Sequence, residues 1–233
     1  FRLTNEASRR LHFAVASCKL SDGLIVQLED YLKDYPNSRL IVIDTLQKVR
    51  TASKDNAYAS DYGDISLIKD FADRHSLAVI VVHHIRKQND SDVFNKVSGT
   101  TGLTGSADAT FVLEKEKRAS DTAKLYVTGR DTPYQEYTLR FRDCSWELVE
   151  RKMDSLIPTG LSLFCGSQKI GKSWLMLKLC LCVSQGLPLW DMPTMEGDVL
   201  YLCLEDTFCR IQDRLFRLTN EASRRLHFAV ASC

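Results

Sequence analysis

Short, nearly continuous apolar runs alternate along this chain with stretches whose apolar residues are spaced like one face of a helix. Leu11 to Ala16, Arg39 to Thr45, Leu77 to Val82, Gly160 to Cys165 and Asp198 to Leu204 are mostly apolar, and the run after Arg39 is apolar on both faces. That is the pattern of strands inside a parallel sheet. Leu24, Ile25, Leu28, Tyr31 and Leu32 give helical spacing over Ser21 to Tyr35, which Pro36 and Asn37 end. Helices are also predicted over Asp64 to Ser76, Lys172 to Gln185 and Thr207 to Ala222. Gln47 to Gly63 is polar and reads as a mobile connection that faces either a substrate or plain solvent. Ala107 to Lys115, Ala123 to Thr128, Glu136 to Arg142 and Ser145 to Val149 read as further strands, with a turn at Gly129-Arg130-Asp131-Thr132-Pro133. The fold class is α/β: a mainly parallel central sheet flanked by helices, with an antiparallel hairpin extension.

Between one of these strands and its helix lies Gly166-Ser167-Gln168-Lys169-Ile170-Gly171-Lys172-Ser173, which fits the phosphate-loop pattern G-x-x-x-x-G-K-[ST] at every defined position. Each residue type has a chemical reason. The glycines let backbone N–H groups curl around phosphate oxygens, Lys172 brings an ammonium to the β- and γ-phosphates, and Ser173 offers a hydroxyl to Mg²⁺. Strand, loop and helix follow in the order the motif requires, which a chance match in a glycine-containing turn would not supply.

Other strand ends carry polar groups at the same rim. Asp44 closes a central strand where ligands bind in doubly wound sheets. It is either a carboxylate that holds Mg²⁺ beside Ser173 or a cap for the next helix. The strand from Asp198 ends in Glu205-Asp206, and the one from Leu77 ends in His83-His84. Adjacent histidines on a strand point to opposite faces, so they are not two ligands of one metal, but one of them can reach a γ-phosphate. Residues 88–106 are rich in Gly, Ser, Thr and Asn and read as a loop of a size that is functional or disordered.

Composition adds limits. A 233-residue chain with 44% hydrophobic and 26% charged residues suits one sizeable soluble core. Its net charge of +1 gives no general attraction to nucleic acid, so any such contact must be local. No apolar window approaches the ~18 residues of a membrane span, and the first residues lack a secretory layout. The expected setting is cytoplasmic, with no membrane partner. Of eight cysteines, Cys165, Cys180, Cys182 and Cys203 lie inside apolar runs, and no C-x-x-C pair occurs. They read as buried reduced thiols.

Residues 1–18, FRLTNEASRRLHFAVASC, recur letter for letter as residues 216–233. An architectural repeat would recur more often and with drift. Read as a circle of 215 residues, the second copy runs straight into Lys19, and the unique order begins near Met153 with a join near 150–152. The chain thus reads as a circular permutant: one domain over 1–233, with 153–233 as the half that carries the phosphate loop, 19–150 as the other half, and 1–18 duplicating 216–233. Two identical segments cannot fill one place. Either one copy is displaced, or copies exchange between chains in a swapped oligomer.

In the restored order the motifs GSQKIGKS, YLCLED, LIVIDT, VIVVHHIRK and YVTGRD together resemble the RecA-type ATPase core, and within it the RepA-like hexameric replicative helicase ATPases of plasmids and mobile elements. The resemblance covers nearly all of the unique sequence and implies a RecA-like nucleotide hydrolase that uses ATP and Mg²⁺. It implies Glu205 as the general base that orients the attacking water, with Asp206 in support, and Asp44 as the Walker B carboxylate for Mg²⁺. His84 stands at the place of a γ-phosphate sensor, with His83 as the other choice. Arg130 resembles an arginine finger acting on a neighbouring subunit, which makes self-association into a ring a chemical requirement; a solvated turn residue is the alternative. The 88–106 loop corresponds to the region that contacts single-stranded DNA in relatives, with Arg86, Lys87 and Lys96 for phosphates and Phe94 for stacking. An ATP-binding regulatory or assembly module with little turnover, and a small-molecule kinase built on the same loop, remain the competing readings.

Overall fold

The computed structural model describes residues 9–50, 57–85, 90, 92–97, 101–115, 117, 119–149, 157–219 and 227–228. In chain order its strands are β1 (Leu11–Ala14), β2 (Ser38–Asp44), β3 (Ala78–His84), β4 (Ala109–Glu114), β5 (Thr122–Gly129), β6 (Gln135–Arg142), β7 (Ser145–Leu148), β8 (Gly160–Gly166), β9 (Asp198–Cys203) and β10 (His227–Phe228). The helices are α1 (Leu24–Asp34), α2 (Leu46–Val49), α3 (Ala57–His75), α4 (Thr101–Ser106), α5 (Lys172–Gln185) and α6 (Phe208–Thr219). All ten strands form one sheet in the order β10-β1-β9-β2-β3-β8-β4-β5-β6-β7. Neighbours from β10 to β4 are parallel; β4-β5, β5-β6 and β6-β7 are antiparallel.

The runs that are apolar on both faces are buried on both faces. Leu40 and Val42 of β2 pack on the side of α5 and α6, with Ile211 and Leu215, while Ile41 and Ile43 pack on the side of α1 and α3, with Leu28, Ile68 and Phe71. The alternation along a strand therefore divides each run between two hydrophobic layers. The antiparallel strands are buried every second residue, as at Ala123, Leu125 and Val127 of β5. That difference in period separates the two parts of the sheet.

The described residues correct three expectations. α3 starts at Ala57 rather than Asp64, and α2 occupies Leu46–Val49, so the segment from Gln47 to Gly63 is largely helical where it is described; residues 51–56 lie outside the described residues. Alanine, tyrosine and serine without proline continue a helix that only Gly63 argued against, and nothing lies within 4 Å of a Cβ built at that glycine. The 88–106 region contains a 3₁₀ turn at Val93–Lys96 and α4. Glu205 and Asp206 fall in the turn after β9, not on the strand.

The duplicated segment is divided between its two copies. Phe216 to Thr219, the start of the second copy, form the end of α6, whereas the strand seated on β9 is β1 from the first copy. The second copy's His227 and Phe228 lie outside β1, opposite His12 and Phe13, their own counterparts. The join expected near 150–152 lies outside the described residues. Since Phe13 is fully buried against β9's layer and β10 contributes a two-residue edge pairing, Phe13→Ala is expected to cost about 3–5 kcal/mol. Ending the chain after Thr219, which leaves β1 on β9, should lower the stability less than Phe13→Ala does. Denaturant titration of both proteins checks this, and a larger loss from the truncation would refute the inner placement of the first copy.

Candidate nucleotide site

Register along the parallel strands puts the polar ends at one level. His84 pairs with Gly166, and Asp44 pairs with both Val82 and Cys203, so the ends of β8, β3, β2 and β9 open on one rim. The phosphate loop leaves β8 at Gly166, where a Cβ would lie 2.9 Å from the carbonyl oxygen of Leu113. It turns through Lys169 (φ 61°) and Gly171 (φ 104°) into α5. Ser167, Gln168 and Lys169 are exposed on the outside of the loop, while Ile170 is buried beneath it. The glycine at 171 is needed for its left-handed backbone directly before the helix.

Lys172 is buried at the first turn of α5. Its ammonium donates to the carbonyls of Gly166 at 2.8 Å and Ser167 at 2.9 Å, and lies 3.2 Å from Nδ1 of His84. Burial pulls its pKa below the ordinary lysine value, against the pull of Asp44, Cys165 and Glu205. Nε2 of the same His84 ring faces Glu205 Oε2 at 3.8 Å. His83 is turned to the buried side of the strand. Behind the loop, burial pushes the Cys165 thiol up to about 12, and Cys180, Cys182 and Cys203 are likewise buried free thiols.

Ser173 Oγ donates to Asp44 Oδ2 at 2.9 Å, and the hydroxyl of Tyr201 donates to the same oxygen at 2.8 Å. Burial raises the pKa of Asp44, with Tyr201, Ser173 and Lys172 opposing. A carboxylate and a hydroxyl this close form the hard oxygen pair that Mg²⁺ prefers, so the donor set fits that ion. Glu205 is 39% exposed, accepts from Thr45 Oγ1 at 2.9 Å, and is fixed to β2 through the backbone bond from Leu204 N to Asp44 O at 2.8 Å. Asp206 instead holds α6, through Arg214 and, at 3.8 Å, Arg210. Tyr201 and Thr45 are site residues that sequence reasoning missed. A tyrosine inside an otherwise apolar strand is the signal, because a buried phenol needs a hydrogen-bond partner.

Arg130 is not brought to this rim. Its turn joins β5 to β6 beside Ala109, whereas Gly166 is level with Leu113 at the other end of β4, roughly 13 Å along the strand. The guanidinium is 60% exposed and lies 3.6 Å from Asp108, which also binds Lys69 at 2.7 Å. Lys96 pairs with Glu114 at 2.8 Å and Phe94 packs edge-on to Tyr134 at 6.4 Å. Arg86 and Lys87 lie outside the described residues. Among the described residues no helix is long and apolar enough to cross a membrane.

The sequence matches the family described as AAA domain over residues 3–90 and 131–232. No curated protein and no solved structure matches the chain.

The shifts of Asp44 and Lys172 both favour their neutral forms. For Asp44, whose folded pKa is raised, the stabilisation is present below the ordinary carboxylate pKa and is lost as pH rises through the raised value. Asp44→Asn should therefore melt above the unsubstituted protein at neutral pH, with the gap closing on acidification through the carboxylate range, while Mg²⁺-dependent nucleotide binding is lost. Calorimetry of the free proteins across pH decides it: a variant melting lower at neutral pH would contradict this account.

Proposed function

Because the chain belongs to the AAA domain family, a family of ATP-hydrolysing phosphate-loop motors, we propose that it is a RepA-like motor domain that hydrolyses ATP as an oligomer in the cytoplasm and acts on single-stranded DNA in plasmid or mobile-element replication. One observation carries the reading: the contact of Ser173 with Asp44 and the row Lys172–His84–Glu205 stand side by side at one rim, joined at the Lys172–Ser173 peptide. Ser173 and Asp44 would hold Mg²⁺, which when bound neutralises charge on the phosphate oxygens. Lys172 turns its ammonium from the loop carbonyls to the phosphates. Glu205, steadied by Thr45 on one oxygen and open to solvent, orients the attacking water and takes its proton. His84 lies between Lys172 and Glu205 and senses the γ-phosphate.

Arg130, at the far end of its own sheet, serves a neighbouring subunit's site, so assembly completes the chemistry. Phe94, Tyr126 and Tyr134 line a cleft of about 930 Å³ that suits stacked bases. Counted from β8 with the duplicated strand used once, the sheet order becomes 3-2-4-5-1-6-7-8-9. That order supports the permutation: the strands of the first half pair with those of the second in a single doubly wound sheet.

Steady-state hydrolysis with and without single-stranded DNA, with mass by light scattering in the same samples, tests the proposal. Turnover by an assembled species should rise with DNA, vanish in Lys172→Ala, and fall by about 10²–10⁴ in Glu205→Gln while that variant still binds Mg-ATP. Tight nucleotide binding by a monomer without turnover would overturn the motor and favour the regulatory module.

A further inference from the structure

The antiparallel extension reaches back to the phosphate loop through one indole. Trp146 of β7 is 1% exposed, and its Nε1–H donates to the carbonyl oxygen of Gly171 at 3.1 Å. A Cβ at Gly171 would lie 3.0 Å from that same nitrogen, so the indole occupies the space the glycine leaves open. The indole is held in turn from three directions. The Phe141 ring lies 5.1 Å away, Trp190 Nε1–H donates to the Trp146 carbonyl at 2.7 Å, and the Lys115 ammonium stands 5.4 Å over the ring. Lys115 follows β4, whose Leu113 is level with Gly166. All three tryptophans of the chain gather here, the third being Trp174 directly after Ser173.

Packing alone does not require an indole, since a phenylalanine would fill much of the same space. What the N–H adds is direction. The Gly171 carbonyl and the Lys172 N–H belong to one planar trans peptide, so holding the oxygen toward Trp146 aims the N–H the opposite way. That N–H is among the first of α5, and no carbonyl within the helix can accept it. It points out of the helix start, where phosphate oxygens are bound. A second bond, from Leu175 N at 3.3 Å, reaches the same carbonyl but is long.

We propose that Trp146 is a positioning residue for nucleotide binding, which fixes the Gly171–Lys172 peptide so that its N–H and the Lys172 stem are set for phosphate before the nucleotide arrives. This rests on the ATPase reading of the site. The pre-set peptide lowers the ordering that binding must impose. It acts on affinity and not on the hydrolytic step, in which Glu205 and not the loop peptide moves the proton.

Two variants test it: Trp146→Phe, and 3-benzothienylalanine at position 146, which keeps the bicyclic shape and lacks only the N–H. Mg-ADP affinity by calorimetry and steady-state ATP hydrolysis are measured on each, with circular dichroism melts of the free proteins. Both variants should bind about three- to tenfold more weakly, the span of one hydrogen bond, with KM raised and kcat unchanged. The benzothienyl variant should keep the circular dichroism spectrum of the unsubstituted protein and melt only slightly lower, by the loss of one hydrogen bond. Affinity equal to the unsubstituted protein's in the benzothienyl variant overturns the assignment alone. An unsubstituted protein that binds no nucleotide overturns the ATPase reading and the assignment together.

Discussion

The bond from Ser173 Oγ to Asp44 Oδ2 spans 129 residues of sequence and joins the start of α5 to the end of β2. The rest of the site depends on it. It exists because β8 and β2, separated in the sheet by β3, keep their carboxyl ends at one level through matched parallel register. A slip of one residue in either pairing would turn Asp44 or Gly166 to the opposite face. The apolar residues that fix that register, Ile41, Val42, Val79 and Val81 among them, are fully buried. Burial of the core thus does the aligning, and the polar groups at the rim are carried into place by strands whose stability they do not supply.

The rim groups in fact weigh against the fold. Asp44 and Lys172 are buried, and both are shifted toward neutrality by that burial. Tyr201, Ser173 and the two loop carbonyls reduce the cost without removing it. Such a site gains most from a ligand that brings charge of both signs, as a metal-bound phosphate does. The thiols behind it are raised by the same burial and stay protonated, so Cys165 adds no competing negative charge beneath Lys172.

Much of this was legible in the sequence, for a physical reason. Runs apolar on both faces admit few structures other than central parallel strands, and GSQKIGKS specifies both its residues and the strand and helix around it. The limits of α5 follow because Lys172 and Gly186 are both chemically marked ends. What escaped reading depends on contacts distant in sequence. Tyr201 is a site residue only because β9 lies beside β2, and Trp146 only because β7 returns to Gly171. The early start of α3 escaped because its first turns lack a strong apolar stripe. Lys96 looked free as a basic residue in a polar loop, and Glu114 on β4 takes it up.

The duplicated segment shows how the same sequence is assigned by context. Leu11 to Ala14 and their second copies have identical propensities, so nothing local chooses between them. The choice rests on connection. β1 leads by a short link into α1, whose Leu24 and Leu28 are buried in the layer beneath the sheet, so seating the first copy on β9 also closes that layer. The second copy follows α6 and is needed only for its first turn, Phe216 to Thr219, which completes the helix. Among the described residues, the second copy thus supplies the helix end and the first copy the strand on β9. His227 and Phe228 of the second copy pair in parallel with β1, opposite residues identical to themselves.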